Sequence, residues 1–459
     1  MATRTQAEVT ELQESALEHL WVYLREPSDM AEKGEPQIFV EGKGCKVTDA
    51  LGNTYIDGMS GLWLKNVGYG RTEIADAAYA QMLKLTYMPM GTTSEPTIKL
   101  AEKVASIPPG DLPRCFFTSG GSEANETAMK LSRAYFKRTG EPTRTKFISR
   151  KGSYHGATFG TLALGGSQYF PKEDYEPLLA GVFHAPQPLP YHCEYGGTTP
   201  EECAELCIKA IEDIILFQGP STIAAVVAEP ISSPMGAAVP GPNYWPLLRE
   251  LCDRYGCLLI ADEVITGFGR TGKMFACEHW NVTPDIMTVA KGITSGYIPM
   301  GGAITRKIIS DAFVGSSKAA FRHVITFGGH PVASAAALRN IQILEDEHMA
   351  DNAAVMGDRL LEGLNDLKDK HKIIGDVRGL GLLCGVELVK DRATKEHFPA
   401  EADLGARLTQ GFADNGILLR GGDAMNVAPP LCVTPGEIDE ILSVMDRVIG
   451  QAAHELGAE

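Results

Sequence analysis

The chain has 459 residues, of which 44% are hydrophobic and 22% are charged, a composition typical of a folded protein and not of a disordered one. The formal net charge of −16 opposes nonspecific binding to nucleic acids and to anionic membranes. Ten cysteines are scattered without a Cys-x-x-Cys pair, a pattern that favours neither a zinc ribbon nor a small disulfide scaffold. We therefore expect reduced thiols in the cytoplasm, no nucleic-acid or membrane partner, and no metal site.

The N-terminal segment predicts a helix and then a small sheet. The first 20 residues mix acidic and polar side chains and lack the apolar core of a secretory signal, so they indicate an amphipathic helix. Residues 38–58 alternate in side-chain character around two glycine-containing turns, which predicts an antiparallel meander. The uncharged stretches of the chain are interrupted by Gly, Pro, Ser and Tyr, so we expect no membrane span.

From about residue 96, helical segments alternate with short apolar runs. These runs are RCFFTS, TKFISR, AGVFHA, TIAAVVAEP, GCLLIADEV and DIMTVAKG. The alternation predicts an α/β fold with a mostly parallel central sheet covered by helices. The cores of the fourth and fifth runs are apolar on both faces, as expected for central strands that are buried on each side.

From about residue 341, helices lead into short strands at GLGLLCGVELV and GILLRG and a closing helix from Pro435. We expect a large domain over residues 71–340. A smaller α/β domain would combine the N-terminal helix and antiparallel sheet of residues 1–70 with residues 341–459.

An aspartate and a lysine follow two successive apolar runs. Asp262 ends LLIAD, which places a carboxylate at the carboxyl edge of the sheet, where open α/β folds bind ligands. Lys291 follows DIMTVA in a tight, glycine-containing setting. Desolvation there would lower the pKa of the amine and leave it able to attack a carbonyl, as in a Schiff base. Taken singly, Asp262 could cap a loop and Lys291 could be a solvated charge.

A cofactor with an aldehyde and a pyridine ring explains both residues, because an Asp beside the pyridine nitrogen keeps it protonated. This cofactor is pyridoxal 5′-phosphate. FFTSGGSEANETAMK offers a phosphate cradle at Gly120, Gly121 and Ser122, before a helix predicted from Glu123. Without the lysine and the aspartate, an ordinary strand-to-helix turn with Ser122 as the N-cap would be the favoured interpretation of this segment.

Two more residues follow predicted strands at the same edge. Tyr154 in GSYHGAT could lie against a flat ring, or be a rim aromatic next to a structural histidine. Glu229 follows AAVVA and could act on a ligand or simply terminate the strand. The alignment of these residues with Asp262 and Lys291 on successive strand ends favours a common site.

A series of motifs extends over nearly the whole chain. They are LWLKNVGYG, FFTSGGSEANE, SYHGAT, AEPI, ADEVITGFGRTG, AKGITSGYIPMGG, TFGGHPVASAAAL, RGLGLLCGVEL and LLRGGDAMNVAPPL. With these motifs the sequence resembles the class III, or omega-type, aminotransferases of the fold type I pyridoxal-phosphate enzymes, and in particular the pyruvate-dependent amine transaminases.

The resemblance implies a role for each site residue. Lys291 would form the Schiff base and Asp262 would pair with the pyridine nitrogen, whose ring would lie between Val264 and Tyr154. Gly121 and Ser122 would hold the phosphate, with Gly120 shaping the turn, and Glu229 would lie near the polar edge of the cofactor. Thr326 would reach the phosphate of a neighbouring subunit, which implies composite sites in a homodimer or a dimer of dimers.

Two positions depart from the pattern of the family, and two indicate the subgroup. The phosphate turn reads Ser119-Gly120, where the family often has Asn-Ser, and His330 stands where Asn is common. Arg420 matches a mobile arginine that receives a substrate carboxylate, and Trp63 matches an aromatic wall of the pocket. The resemblance thus implies transfer of an amino group from an amine or omega-amino acid to a 2-oxo acid, with pyruvate favoured.

Two other functions remain open from the sequence. A related pyridoxal-phosphate enzyme on the same scaffold, such as an aminomutase or a decarboxylating transaminase, would share the residues around the cofactor. A catalytically silent binding protein could keep the fold, although the intact Lys291 and Asp262 argue against it. Arg420 could also be only a surface arginine in a glycine-rich loop.

Overall fold

The strands of the computed structural model, which describes residues 3–167 and 170–458, form three sheets. The strands are β1 (Phe39–Lys43), β2 (Lys46–Asp49), β3 (Thr54–Asp57), β4 (Arg114–Thr118), β5 (Lys146–Arg150), β6 (Val182–Ala185), β7 (Ile223–Ala228), β8 (Leu258–Asp262), β9 (Ile286–Val289), β10 (Gly301–Thr305), β11 (Ile374–Leu380), β12 (Leu383–Leu388), β13 (Ile417–Leu418) and β14 (Ala424–Val427). The α-helices are α1 (Gln6–His19), α2 (Pro27–Glu32), α3 (Ser60–Trp63), α4 (Thr72–Lys84), α5 (Glu95–Ser106), α6 (Gly121–Arg138), α7 (Phe159–Leu164), α8 (Pro200–Gln218), α9 (Tyr244–Tyr255), α10 (Lys307–Asp311), α11 (Pro331–Asp346), α12 (Met349–Lys370), α13 (Leu404–Asp414) and α14 (Pro435–Glu455).

The seven-stranded central sheet has the order β4-β10-β9-β8-β7-β5-β6. Strands β5 to β9 pair in parallel, and β10 runs antiparallel to both of its neighbours, β4 and β9. Every residue of β7 and β8 is buried, because helices cover both faces of the sheet. The predicted α/β fold with a mostly parallel central sheet is therefore confirmed.

Strand β10 was not predicted, and its glycines explain why. Gly301 and Gly302 begin the strand, and glycine weakens the pattern that marks a strand. A Cβ on Gly301 would lie 2.7 Å from the carbonyl oxygen of Gly120, so the backbone approaches the β4–α6 turn more closely than a side chain allows. The two glycines thus let the antiparallel strand pack beside the turn that precedes α6.

Two smaller sheets contain the terminal parts of the chain. The predicted N-terminal meander is present as β1-β2-β3, and β13 from the C-terminal part adds to it in parallel with β3. Strands β11, β12 and β14 form an antiparallel sheet, of which β14 was not predicted. The N-terminal helix is confirmed as α1, while residues 1–2 of the segment predicted to contain it lie outside the described residues.

Helix α6 shows how the local sequence orients the central layer. Its apolar positions pack against the sheet, and its last turn carries Lys137 and Arg138, which favour the negative end of the helix dipole. The helix begins at Gly121 rather than at Glu123, so Gly120 and not Ser122 is the N-cap. The alternative in which Ser122 serves only as the N-cap is therefore wrong.

Within the described residues, none of the helices is long and apolar enough to cross a membrane.

Candidate active site

Most of the predicted site residues lie at the carboxyl ends of the parallel strands. Asp262 is the last residue of β8, Glu229 follows β7 directly, and Lys291 comes two residues after β9. The turn at Gly120 joins β4 to α6, and Tyr154 comes four residues after β5. Since parallel strands end at one edge of a sheet, five separate segments meet there.

The Asp262 carboxylate is buried and accepts four hydrogen bonds. Its Oδ2 atom accepts from Asn125 Nδ2 at 2.8 Å and from His155 Nδ1 at 2.7 Å. Its Oδ1 atom accepts from the backbone N–H of Val264 at 3.1 Å and from the Thr288 hydroxyl at 3.3 Å. These bonds fix the position and orientation of the carboxylate.

The three side chains around Asp262 were not predicted as site residues. Asn125 Nδ2 also donates to the carbonyl of His155 at 2.8 Å, and the Thr288 hydroxyl lies 2.9 Å from Asn125 Oδ1. The other ring nitrogen of His155 lies 3.1 Å from Ser149 Oγ. The sequence indicates only a structural role for His155. Thr288 pairs in register with Asp262 and Asn125 lies on the buried face of α6, but both facts come from the fold, so no signal in the sequence points to these residues.

The Lys291 amine lies in a poorly solvated position close to two carboxylates. Burial lowers its pKa to about 8, while the negative charges of Asp262 and Glu229 oppose that shift. Its Nζ atom lies 5.5 Å from the centre of the Trp63 ring. The backbone of Lys291 is left-handed, with φ of 45°. The amine is thus a nucleophile with a substantial neutral fraction near neutral pH.

Glu229 is a second buried carboxylate with incomplete hydrogen bonding. Burial raises its pKa, and the charges of His155 and Arg150 partly offset this. Oε1 accepts a long bond of 3.4 Å from the backbone N–H of Tyr154, and Oε2 lies 3.5 Å from Arg150 Nη2. Within the described residues, Oε2 has no hydrogen-bond partner. A buried carboxylate oxygen without a donor is costly, so a ligand donor at this position would stabilise it.

The turn before α6 has the features of an anion site. The N–H groups of Gly121 and Ser122 belong to the first turn of an 18-residue helix and have no partner within it. The Ser122 hydroxyl accepts a bond from the backbone N–H of Ala157 at 3.1 Å and keeps its own proton to donate. A Cβ on Gly156, where φ is 136°, would lie 2.6 Å from that hydroxyl. Glycine at 156 therefore allows the loop after β5 to close on the turn.

Tyr154 and Val264 lie next to these groups. Burial raises the pKa of the Tyr154 hydroxyl, with a further contribution from the charge of Asp262, and the ring lies 5.0 Å from that of Phe170. A Cβ on Gly121 would lie 3.0 Å from Val264 Cγ1, so Val264 packs directly against the anion turn. Both side chains are thus beside the predicted ring position.

Three predicted residues lie nearer the solvent. Trp63 is partly buried, has φ of 56°, and carries an indole N–H without a partner among the described residues. Arg420 is exposed, and within the described part of the chain it makes no hydrogen bond or ion pair. Thr326 is exposed, and its carbonyl accepts a bond from the Tyr87 hydroxyl. The structure brings Trp63 to Lys291 but shows no contact of Arg420 or Thr326 with the Asp262 cluster.

The glycines after Arg420 differ in their surroundings. A Cβ on Gly421 would lie 2.3 Å from the carbonyl oxygen of Gly405 on α13, so Gly421 is needed for close packing. Gly422 has φ of 153° and open space around it. Gly421 is therefore held by packing against α13, whereas the surroundings of Gly422 would accommodate another backbone conformation.

Comparison with known proteins identifies the family. Residues 30–449 match the family model for aminotransferase class-III. The chain is 41% identical to a taurine–pyruvate aminotransferase of Bilophila wadsworthia, over 96% of this chain and 97% of the relative. It is 37% identical to a putrescine–pyruvate aminotransferase of Pseudomonas aeruginosa, over 98% of each.

A solved structure supports the same assignment. The (S)-enantioselective omega-transaminase of Thermomicrobium roseum superposes with a TM-score of 0.93 at 39% identity, covering 98% of this chain and all of the other. The chain therefore belongs to the class-III aminotransferase family. Aminotransferases of this class depend on pyridoxal 5′-phosphate and take an amine donor and a 2-oxo acid, which confirms the predicted enzyme class and cofactor.

Proposed function

We propose that this class-III aminotransferase moves an amino group from an amine or omega-amino acid to pyruvate. The observation that carries the proposal is the desolvated Lys291 amine beside the buried carboxylates of Asp262 and Glu229. The two pyruvate-dependent relatives support the acceptor, and taurine and putrescine in their names support a donor with a terminal amine.

The residues present fit pyridoxal phosphate. The N–H groups of Gly121 and Ser122, which have no partner within α6, suit a dianionic phosphate, with the extended Gly120 shaping the turn. Oε2 of Glu229, which has no hydrogen-bond partner among the described residues, suits a donor on the polar edge of the ring, and Tyr154 and Val264 suit its two faces. Lys291 supplies the amine that holds the aldehyde carbon.

The side chains then have distinct tasks. Bound pyridoxal phosphate supplies an electron-withdrawing ring that acidifies the carbon carrying the amino group. Asp262 holds a proton at the pyridine nitrogen, and Asn125, His155 and Thr288 act as positioning residues for its carboxylate. Once the donor amine has displaced Lys291 from the aldehyde carbon, the freed Lys291 amine would take the proton from the substrate carbon. In the second half-reaction it would deliver a proton to the former carbonyl carbon of the 2-oxo acid.

Arg420 would bind the carboxylate of the acceptor. Among the described residues the Arg420 guanidinium has no partner, so its donors are open to a ligand, and the open space around Gly422 would let the loop move. A donor without a carboxylate would leave a fixed, buried arginine unpaired at a cost of several kcal/mol, so the exposed position of Arg420 suits a side chain that enters only with the acceptor. Trp63 would limit the size of the donor beside Lys291.

The substrate assignment is tested by a panel in which β-alanine, taurine, a diamine and a simple aryl amine are each paired with pyruvate or 2-oxoglutarate. We expect alanine formation with a kcat/KM at least tenfold above that for glutamate formation. Faster glutamate formation would overturn the pyruvate assignment. With donor alone, we expect one carbonyl product per site, whereas carbon dioxide release or an internal amine shift would support the alternative reactions.

The assembly is proposed to be at least a homodimer with shared sites. Large apolar side chains are exposed on the single chain, notably Trp21 at 98%, Met90 at 93% and Phe327 at 61%. Phe327 is next to Thr326, whose predicted partner is the phosphate of the neighbouring subunit. Light scattering should give a dimer or a larger species. A fully active monomer would contradict the proposal.

Mixed subunits test the sharing directly. Lys291→Ala and Thr326→Ala chains, mixed and reassembled, should form some dimers with one unmutated site and activity well above either parent. Activity no higher than the sum of the parents would contradict a shared site.

The cytoplasmic location remains a prediction that fits ten free cysteines, and cell fractionation tests it.

A further inference from the structure

Three segments bring two imidazoles and a carboxylate together outside the Lys291 cluster. His192 ends a 3₁₀ turn before α8, Glu387 lies in β12, and His397 lies in the loop after β12. The ligand atoms of the three side chains lie within 4.8 Å of one another. We infer that His192, Glu387 and His397 form a binding site for a divalent transition-metal ion, with zinc as the best-suited ion.

The two histidines converge on one carboxylate oxygen. His397 Nε2 lies 3.2 Å from Glu387 Oε1, and His192 Nε2 contacts the same oxygen. Two imidazole nitrogens and one carboxylate oxygen are the donor set of many zinc sites that keep a fourth position for water. Magnesium and calcium prefer oxygen ligands only, so the set favours zinc, cobalt or nickel.

Glu387 is held in place by an ion pair. Its side chain is 3% exposed, and one of its two carboxylate oxygens is bound to Arg378. Arg378 binds this oxygen, Oε2, at 2.8 Å and is itself paired with Asp376 at 2.8 Å. Oε1 is therefore the oxygen that remains for a cation, and the Asp376 carboxylate partly neutralises the guanidinium beside it.

The surroundings add negative charge and admit an ion. His397 Nδ1 lies 3.7 Å from Asp423 Oδ2, too far for a hydrogen bond but close enough for the carboxylate to favour a cation beside the imidazole. The His192 and His397 side chains are 36% and 41% exposed, and a surface cavity of about 540 Å³ opens beside His192. An ion can thus enter from solvent and keep a water as its fourth ligand.

An ion at this position would link separate parts of the fold. His192 precedes α8, which packs on the central sheet, whereas Glu387 belongs to the β11-β12-β14 sheet. A metal that binds the folded chain better than the unfolded chain raises its stability by mass action. The inference is independent of the proposed function, because none of the three ligands belongs to the Lys291 cluster.

The test uses tag-free holoenzyme, stripped with a chelator and titrated with zinc chloride by calorimetry. We expect one zinc ion per chain and a higher thermal midpoint with zinc than without it. His192→Ala and His397→Ala should each weaken binding by more than about tenfold and remove the thermal shift. His348→Ala is the matched control, since His348 is an exposed histidine beside an acid, Asp351, and its loss should change neither result.

Two results would overturn the inference. One is zinc binding of unchanged stoichiometry and affinity in the His192→Ala/His397→Ala double variant, which would place the ion elsewhere. The other is no saturable binding to the parent at millimolar zinc. Both histidines are partly exposed, so the variants should fold, and an unchanged circular dichroism spectrum together with parental transaminase activity checks this. A cobalt-substituted sample adds a spectroscopic signature of the imidazole ligands that a structural role alone would not produce.

Discussion

Two buried carboxylates lie at opposite edges of the central sheet and have opposite surroundings. Asp285, directly before β9, accepts from Arg249 Nη1 and from the backbone N–H of Leu259, each at 2.8 Å, and lies 3.2 Å from Arg306 Nη1. Asp262, at the end of β8, has no guanidinium among its hydrogen-bond partners in the part of the chain that the structure describes. The charge at the amino edge is balanced within the chain, while the charge at the carboxyl edge remains available to a cationic ligand. Burial alone therefore does not distinguish a functional carboxylate; its partners do.

The largest effect should come from removing the amine at the carboxyl edge. Lys291→Ala is expected to lower kcat by at least about 10⁴-fold, because both the nucleophile and the proton carrier are lost. Steady-state alanine formation measures this. Lys65→Ala is a matched control, since burial also lowers the pKa of the Lys65 amine to about 8 while its Nζ lies over the Tyr297 ring at 4.0 Å.

Cofactor attachment sharpens the same test. After borohydride reduction of the holoenzyme, peptide mass analysis should find the cofactor on Lys291 and not on Lys65. Modification of Lys65 at a comparable level would mean that a low pKa, rather than position at the sheet edge, decides the reaction. Turnover of Lys291→Ala near the parent rate would refute the assignment outright.

The two carboxylates themselves should respond in opposite ways. Asp262→Asn is expected to lower kcat by about 100-fold or more, because an amide cannot hold a proton at the pyridine nitrogen. Asp285→Asn should leave kcat near the parent value but lower stability by about 3 kcal/mol, since it removes the buried charge that pairs with Arg249 and Arg306 and leaves Arg249 only its pair with Asp253. Kinetics and thermal unfolding of both variants give the comparison. If Asp285→Asn lowered kcat as much as Asp262→Asn, the two edges of the sheet would not differ in function.

A smaller effect is expected on the solvent side of the site. Arg420→Ala should raise KM for pyruvate and for carboxylated donors by about ten- to a hundredfold, the value of a charge-assisted hydrogen bond, with little change for a simple alkyl amine. Arg407→Ala is the control, because Arg407 is a half-exposed arginine paired with Glu455 on α14. Equal losses for charged and uncharged donors would show that Arg420 serves structure instead.

The smallest effect concerns pH. Since burial lowers the Lys291 pKa to about 8, its neutral fraction should rise about tenfold from pH 7 to pH 9 and then level off. The rate at which apoenzyme incorporates pyridoxal phosphate should follow this rise. For a lysine of ordinary pKa, the neutral fraction would instead rise about a hundredfold from pH 7 to pH 9 and would not level off in that interval. Glu229→Gln should shift the midpoint downward, because the charge of Glu229 opposes the lowering of the Lys291 pKa.

The sequence predicted the central sheet and the strand-end residues because both depend on local patterns. Apolar runs such as β7 and β8 are buried on both faces, and an acid at the end of such a run must lie at the edge of the sheet. The family motifs added the cofactor and the reaction class. The sequence does not predict strands β10 and β14. Glycines weaken the strand pattern in β10, and β14 is too short to show a clear one.

The partners of Asp262 could not be predicted for a different reason. Asn125 is in the interior of a helix and Thr288 is inside a strand, where nothing local distinguishes a polar residue that holds a carboxylate from one that satisfies the backbone. Only the alignment of β8 with β9 and the docking of α6 on the sheet bring them to Asp262. The His192–Glu387–His397 cluster is a similar case, because its members are up to 205 residues apart.

The left-handed backbone of Lys291 sets stability and activity against each other at one position. A side chain other than glycine or asparagine pays about 1–2 kcal/mol for this conformation, and the desolvated amine adds a further cost below its pKa. Selection for heat resistance alone, without an assay for turnover, should therefore favour glycine at 291. Gene copies that are selected for folding but no longer for catalysis should accept the same replacement. Glycine at position 291 would therefore identify catalytically silent descendants of this enzyme.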